Sequence, residues 1–276
     1  MPAKSIQEPA RHTPVVHETD VLVVGSGPGG LAAALAAARC GVSVTLLERF
    51  GCFGGNITVV GVEGFAWYRH EATVEAGGIG WEFEERAKVM GAAVPESQSL
   101  SYELDSEGFK LVADTLVQEA DIHPMLHRQF AAPIMEGDMI IGVIVESKAG
   151  REAILAKRVV DATGDADVAL RAGAPTFKTS VEDMQAASVM FHLAGVDKAA
   201  FMAGVKADPQ TYKDWSSGEW VVETAGKEDD MFSPFLGKPF ERAIKDGIIP
   251  AHLNTIGGTW GAVHDSGEMT YMNLIH

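Results

Sequence analysis

Cysteine is scarce: Cys40 and Cys52 are the only two in 276 residues, too few to build a disulfide framework. A reduced, cytoplasmic protein is expected. Basic residues are in deficit, 22 Lys and Arg against 38 Asp and Glu, and the formal charge of −16 repels phosphate backbones and anionic lipid headgroups. Neither nucleic acid nor a membrane surface is an expected partner. The polar stretch 1–20 lacks the apolar core of a signal peptide, and the longest apolar stretch is broken by glycines and by Arg39, so no membrane span is expected. No G-x-S-x-G elbow and no P-loop lysine motif occur, which argues against hydrolase and kinase classes. No His/Cys/Asp cluster has metal-ligand spacing, and no metal is expected.

What is present fits a globular protein with a real core. Hydrophobic content is 46%, aromatic content 8% and charged content 22%, and the length suits one large domain or two modest ones. Glycine is the excess, with 30 residues concentrated between Gly25 and Gly80, which points to tight turns around a ligand.

Residues 1–18 mix Pro, His, Glu and Lys without period and read as a flexible arm. Val21-Leu22-Val23-Val24 reads as a strand buried on both faces of a parallel sheet. Residues 31–39, nearly all Ala and Leu, read as a helix stopped at Gly41, and 42–48 as a second strand, completing one right-handed βαβ unit. Helices are expected over 81–90 and 109–120 and a strand over 121–128. Three β-like runs follow, punctuated by Glu136-Gly137-Asp138 and Ala149-Gly150-Arg151, and read as an antiparallel meander. The strand 158–165 then returns the chain to the first sheet. Beyond Pro175, Trp215, Trp220 and Trp260 appear among helical patterns over 198–206 and 239–248. The fold class is therefore α/β, with a Rossmann-like domain over 19–175, parallel sheet plus β-meander, and a second, α+β domain over 176–276.

Gly25-Ser26-Gly27-Pro28-Gly29-Gly30 fits G-x-G-x-x-G between that strand and that helix. Gly25 permits the tight turn, Gly27 lets backbone approach a pyrophosphate, and Gly30 lets helix and strand pack closely. The helix N-terminus offers free N–H groups and partial positive charge to phosphates. Glu48 ends the next strand, 18 residues beyond Gly30, where a carboxylate accepts from ribose hydroxyls and repels a 2′-phosphate. The motif alone is weak, and the pair is a specific dinucleotide signature.

A plain NAD domain would continue with another strand and helix soon after Glu48, whereas roughly sixty residues intervene here. The string 20–50, the Gly54-Gly55-Asn56 doublet and Val160-Asp161-Ala162-Thr163-Gly164-Asp165-Ala166-Asp167 together resemble the FAD-dependent oxidoreductases of the glutathione-reductase-type flavoprotein superfamily. The group most similar carries a Gly-Phe-Leu-Gly-Gly-like segment after the ribose-binding acid, and here that segment is Gly51-Cys52-Phe53-Gly54-Gly55. The resemblance covers residues 18–200.

It implies that Gly25, Gly27, Pro28, Gly29 and Gly30 hold the FAD pyrophosphate, and that Glu48 and Arg49 hold the adenosine ribose and its surroundings. Gly54, Gly55 and Asn56 would serve the phosphates and the approach to the flavin. Ala131 resembles the backbone position that bonds adenine, and Ala162, Thr163, Gly164 and Asp165 the turn that closes over the dinucleotide. The resemblance also implies a C-terminal segment completing the FAD domain, whereas this chain stops at His276 inside what resembles the substrate-domain sheet. The substrate or cap domain is thus expected to be partial, with a second polypeptide, from a separate subunit or from processing, supplying the remainder.

The expected function is hydride transfer between a small organic substrate and flavin N5. Two alternatives stand beside it: an electron-transferring FAD subunit without a complete substrate site, and an NAD-dependent dehydrogenase. No catalytic residue is assigned. Cys52 reads as a small inert filler at a position where redox chemistry is conceivable. Trp67-Tyr68-Arg69-His70 reads as a surface loop that could also line a substrate pocket. His192, His264 and His276 read as satisfied sheet histidines rather than bases.

Overall fold

The computed structural model describes residues 5–64, 69–70, 73–74, 77–95, 102–184, 187–207, 231–232, 237–250 and 258–275. Trp215, Trp220, Trp67, Tyr68 and His276 lie outside the described residues. Contacts divide the chain into two units, residues 1–55 with 113–176, and 56–112 with 177–276. Residues 56–112, which the sequence pattern places in the first domain, group with the C-terminal part.

The first unit is a six-stranded sheet. Its strands in chain order are β1 (Val15–Val24), β2 (Val44–Leu47), and then, after the intervening elements, β7 (His123–Met125), β8 (Gln129–Glu136), β9 (Met139–Ser147) and β10 (Gly150–Asp161), with helices α1 (Pro28–Arg39) and α4 (Asp167–Arg171). The spatial order is β7-β2-β1-β10-β9-β8. β7, β2, β1 and β10 run parallel, while β10, β9 and β8 form the antiparallel meander. Strands flanked on both sides need apolar residues on both faces. β2 is accordingly buried at all four positions, and Leu22 and Val23 of β1 are fully buried. Each such aliphatic side chain contributes about 1.5–3 kcal/mol. Leu22, Val24, Leu47, Phe130, Val143, Val145, Ile154 and Val168 close into one core cluster.

Helix and strand ends shift by a few residues from the sequence pattern, as where α1 starts at Pro28 and the strand expected over 121–128 covers His123–Met125, and two differences go further. β1 begins at Val15, inside the segment expected to be a loose arm, because ladder bonds to β10 hold residues with no hydrophobic pattern of their own, and Val15 and Val16 remain exposed. Residues 5–14 carry no regular secondary structure. The third meander run and the closing strand are one continuous strand, β10, whose first half pairs with β9 while most of its length pairs with β1. On β1, Asp20 accepts from the Ser43 backbone and hydroxyl and pairs with Lys157 at 2.6 Å; these partners hold its carboxyl well below the usual carboxylate range.

The second unit contains a π-helical turn (Asn56–Val60), the short pair β3 (Arg69–His70) and β4 (Thr73–Val74), and α2 (Ile79–Val89). The hairpin β5 (Ala93–Pro95) and β6 (Tyr102–Leu104) follows. α3 (Ser106–Glu119) runs across the sequence boundary between the units. Later come β11 (Ser188–Leu193), α5 (Lys198–Ala207), β12 (Met231–Phe232), α6 (Gly237–Lys245), β13 (Gly258–Val263) and β14 (Met269–Ile275). These last strands form an antiparallel sheet in the order β11-β14-β13-β12. Phe83 and Phe109 meet edge to face at 6.1 Å. Glu84, fully buried and next to Phe83 in sequence, pairs with Lys88 at 2.6 Å; burial pushes its carboxyl up and the lysine opposes this.

Candidate functional site

The turn 25–30 joins β1 to α1, and the glycines there divide into two kinds. Gly25 has φ +97°, and a Cβ on it would stand 2.4 Å from the Ala162 carbonyl oxygen. A Cβ on Gly30 would stand 2.0 Å from the Gly25 oxygen, and one on Gly55, at φ +55°, 2.6 Å from the Gly27 Cα. At these three positions the chain touches itself, so any side chain collides with backbone. Gly27 and Gly29 are the second kind: nothing lies within 4 Å of where their Cβ atoms would be. Gly27 is also the N-cap of α1, no side chain caps the helix, and Pro28 opens its first turn. The first turn of α1 therefore has open Cβ directions at Gly27 and Gly29 and N–H groups that no side chain caps, a combination suited to an anion.

Glu48, directly after β2, is buried, and its carboxylate reaches across to this turn. Oε2 accepts from the Ser26 N–H at 2.9 Å and from the Ser26 hydroxyl at 2.6 Å, and Oε1 accepts from the Phe50 N–H at 2.9 Å. Three of the roughly four lone-pair directions of a carboxylate are thus used, and one on Oε1 remains. Expected as a ribose ligand, Glu48 also sets the shape of the turn. Arg49 is exposed, its guanidinium 4.7 Å from the Phe50 ring centroid. Gly54 donates its N–H to the Ser26 carbonyl at 2.9 Å, which lays the doublet 54–55 on the turn. Asn56 opens the π-helical turn, and its carbonyl accepts from the Val62 N–H.

Ala131 sits at a β-bulge: Phe130 faces Val145 and Ala132 faces Ile144, leaving Ala131 without a facing residue on β9. Its carbonyl accepts from Arg171 at 2.6 Å. At the end of β10, Ala162 donates its N–H to the Val24 carbonyl and its oxygen abuts Gly25, so the turn 162–165 lies beside the turn 25–30.

The residue that organises this second turn is Asp161, which the motif reading passed over. It accepts from the Thr163 N–H at 3.1 Å, the Thr163 hydroxyl at 2.7 Å, and the Val168 and Ala169 N–H groups at 3.0 and 2.9 Å. These bonds let Gly164 take φ +91° and Ala166 take φ +56°. The signal in the sequence was a carboxylate at a strand end followed two residues later by Thr, a pattern of side-chain-to-backbone turns. Of the other candidates, His264 is satisfied by the Thr270 hydroxyl at 2.7 Å. His192 is exposed on β11, its Nε2 3.1 Å from where a Gly61 Cβ would stand.

Among the described residues no group of three His, Cys, Asp or Glu side chains could hold a metal ion, and no helix is long and apolar enough to cross a membrane.

Residues 20–259 match the model of the FAD dependent oxidoreductase family. Thiamine thiazole synthase of Metallosphaera sedula is 34% identical over 163 residues, 54% of this chain and 55% of that protein. The same-named enzyme of Sulfolobus acidocaldarius is 32% identical over 165 residues, 55% of this chain and 57% of that one. The chain thus spans about half the length of the curated relatives it matches. A geranylgeranyl bacteriochlorophyll reductase-like protein from Thermoplasma acidophilum superposes with a TM-score of 0.55 at 18% identity, over 94% of this chain and 56% of that one, a likeness of fold.

Proposed function

Because the chain belongs to the FAD dependent oxidoreductase family, we propose that its FAD lies along the turn 25–30 and that the enzyme exchanges a hydride with a small organic substrate. The observation that carries the placement is the clear space beside Gly27 and Gly29 at an uncapped helix start. In this reading the α1 N–H groups bind the pyrophosphate, and the remaining acceptor on Glu48 takes a ribose hydroxyl. Arg49 borders the adenosine, and the Ala131 backbone meets adenine. Gly54, Gly55 and Asn56 lead toward the flavin, and the turn 162–165 flanks the dinucleotide. Once bound, FAD supplies the two-electron redox chemistry, and the protein orients and shields it.

Gly27→Val tests the placement. The Cβ direction is open and the backbone is extended there, with φ −60° and ψ 176°, so the variant folds with the wild-type melting temperature. Its side chain fills the pyrophosphate space, so the purified protein should be colourless. A Gly27→Val protein carrying a full flavin complement overturns the placement. The hydride part is read separately, by anaerobic mixing of holoenzyme with small alcohols, amines and saturated acids. Bleaching of the flavin band by one equivalent of one class supports it, and a band that no class bleaches overturns it.

A further inference from the structure

His127 stands at the carboxyl end of β7 in a backbone conformation that side chains other than Gly seldom adopt, with φ +54°. Such strain costs on the order of 1–3 kcal/mol and persists only where the surroundings over-determine it. Here they do. The His127 N–H donates to the Phe50 carbonyl at 3.1 Å and the Arg128 N–H to the Glu48 carbonyl at 3.0 Å, while the Glu48 N–H donates to the Met125 carbonyl at 2.9 Å. The segment after β7 is thereby zipped onto the segment that carries the Glu48 carboxylate.

The zipper lays the imidazole on Gly51. A Cβ on Gly51 would stand 2.7 Å from His127 Cε1 and 2.8 Å from Nε2, so the ring occupies the space a side chain at 51 would need. No core claims this ring, because His127 is exposed. Four residues further on is the bulged Ala131, and two hydrogen bonds away is the Glu48 carboxylate. In open α/β sheets, ligands sit beyond the carboxyl ends of the parallel strands, and β7 is one of those strands. A flat, exposed aromatic ring on the segment that is bonded to the Glu48 strand end and leads into the bulge at Ala131 presents a π-face to a nucleobase.

The geometry points to His127 as a wall of the adenosine site, its imidazole stacking against the adenine ring of the dinucleotide. This rests on the reading that Glu48 and the turn 25–30 hold FAD. The assignment gives His127 a binding role that motif comparison does not reveal, since it depends on the side-chain-free Gly51 opposite.

The test compares three probes on wild type and on His127→Asn, which keeps a residue tolerant of positive φ but removes the ring. Calorimetric titration of apoprotein with FAD and with ADP should show both affinities weakened about 10-fold, as expected for a lost base–ring contact. Riboflavin 5′-phosphate, which lacks adenine, should bind both proteins equally. His127→Gly, which relieves the backbone strain, should show the same pattern and decides the matter if the Asn variant fails to fold. A ring with only a structural role would instead lower the melting temperature and leave the ADP affinity within twofold of wild type. That outcome overturns the inference while leaving the FAD site in place, provided Gly27→Val still abolishes FAD binding. Retention of FAD by Gly27→Val overturns both.

Discussion

Two carboxylates at the carboxyl ends of parallel strands each fix one of two neighbouring turns, and they do so in opposite ways. Glu48 follows β2 and reaches sideways to Ser26, in the turn that follows β1, so it joins two segments 22 residues apart in sequence. Asp161 ends β10 and folds back on its own turn, receiving all four of its donors from residues 163–169. Glu48 is buried; Asp161 is half-exposed. The lateral clamp exists only after β1 and β2 have paired, so it registers two strands against each other. The local clamp can form with its own segment and mainly fixes the shape of one turn. The pair of turns is well ordered only when the long-range and short-range clamps are in place together.

The largest expected effect breaks the close packing of the turn 25–30 on itself. Gly30→Ala places a Cβ 2.0 Å from the Gly25 oxygen and 3.1 Å from the Ala162 Cβ, and rigid backbone cannot yield. A loss of about 3 kcal/mol or more is expected, enough to leave little folded protein. Gly29→Ala, one residue away with an open Cβ direction, should keep the stability or raise it by up to about 1 kcal/mol, because alanine suits a helix better. Thermal melts of the apoproteins separate the two, and coincident melts would mean that the close approach of Gly30 to Gly25 does not hold the turn 25–30 in shape.

The next effect compares the clamps directly. Glu48→Gln must point an amide NH2 either at Ser26 or at the Phe50 N–H, a donor facing a donor in a buried place, at a cost of about 2–3 kcal/mol. Asp161→Asn meets two donors whichever way its amide turns, but water reaches it, and about 1–2 kcal/mol is expected. Chemical denaturation of both variants tests the ranking. If Asp161→Asn costs more, the number of donors rather than burial governs such clamps.

How much of this was legible in the sequence follows the same division. The buried strand 21–24, the small-residue helix and the position of Glu48 were readable, because hydrophobic period and motif spacing are local signals. The meander was readable from its turn residues. The start of β1 at Val15 was not, because those residues are held by ladder bonds to β10 rather than by a pattern of their own. The continuity of β10 was hidden by the change in its pairing from antiparallel to parallel partners. Asp161 carried a local signal, a carboxylate two residues before Thr163, that lay inside a string of motif residues; His127 carried none, because it acts through backbone it meets only in three dimensions. Gly51 looked like one more motif glycine, although what it makes room for is an imidazole 76 residues later in the chain.

The smallest effect contrasts the carboxyl ends of the strands with residues nearer their start. His17 of β1 and His123, the first residue of β7, stack with ring centroids 4.2 Å apart and planes 15° from parallel. Burial, and then the charge of His123, lower the His17 pKa from its ordinary value of 6.5. A base with a lowered native pKa stays neutral in the fold while the unfolded chain takes up its proton, so the unfolded state binds more protons and stability rises with pH across that window. Stability is thus fully present above about pH 6.5 and declines as the pH falls toward the lowered value. Melting temperatures of wild type should drop between about pH 7.5 and about pH 5.5 by more than those of His17→Asn. His123→Asn should lie between the two, since it removes the charge and leaves the burial. FAD affinity should be the same in all three proteins at the higher pH, because the pair takes no part in either carboxylate clamp. An affinity that fell in His17→Asn would show that this histidine pair and the turns 25–30 and 162–165 are one coupled system rather than two.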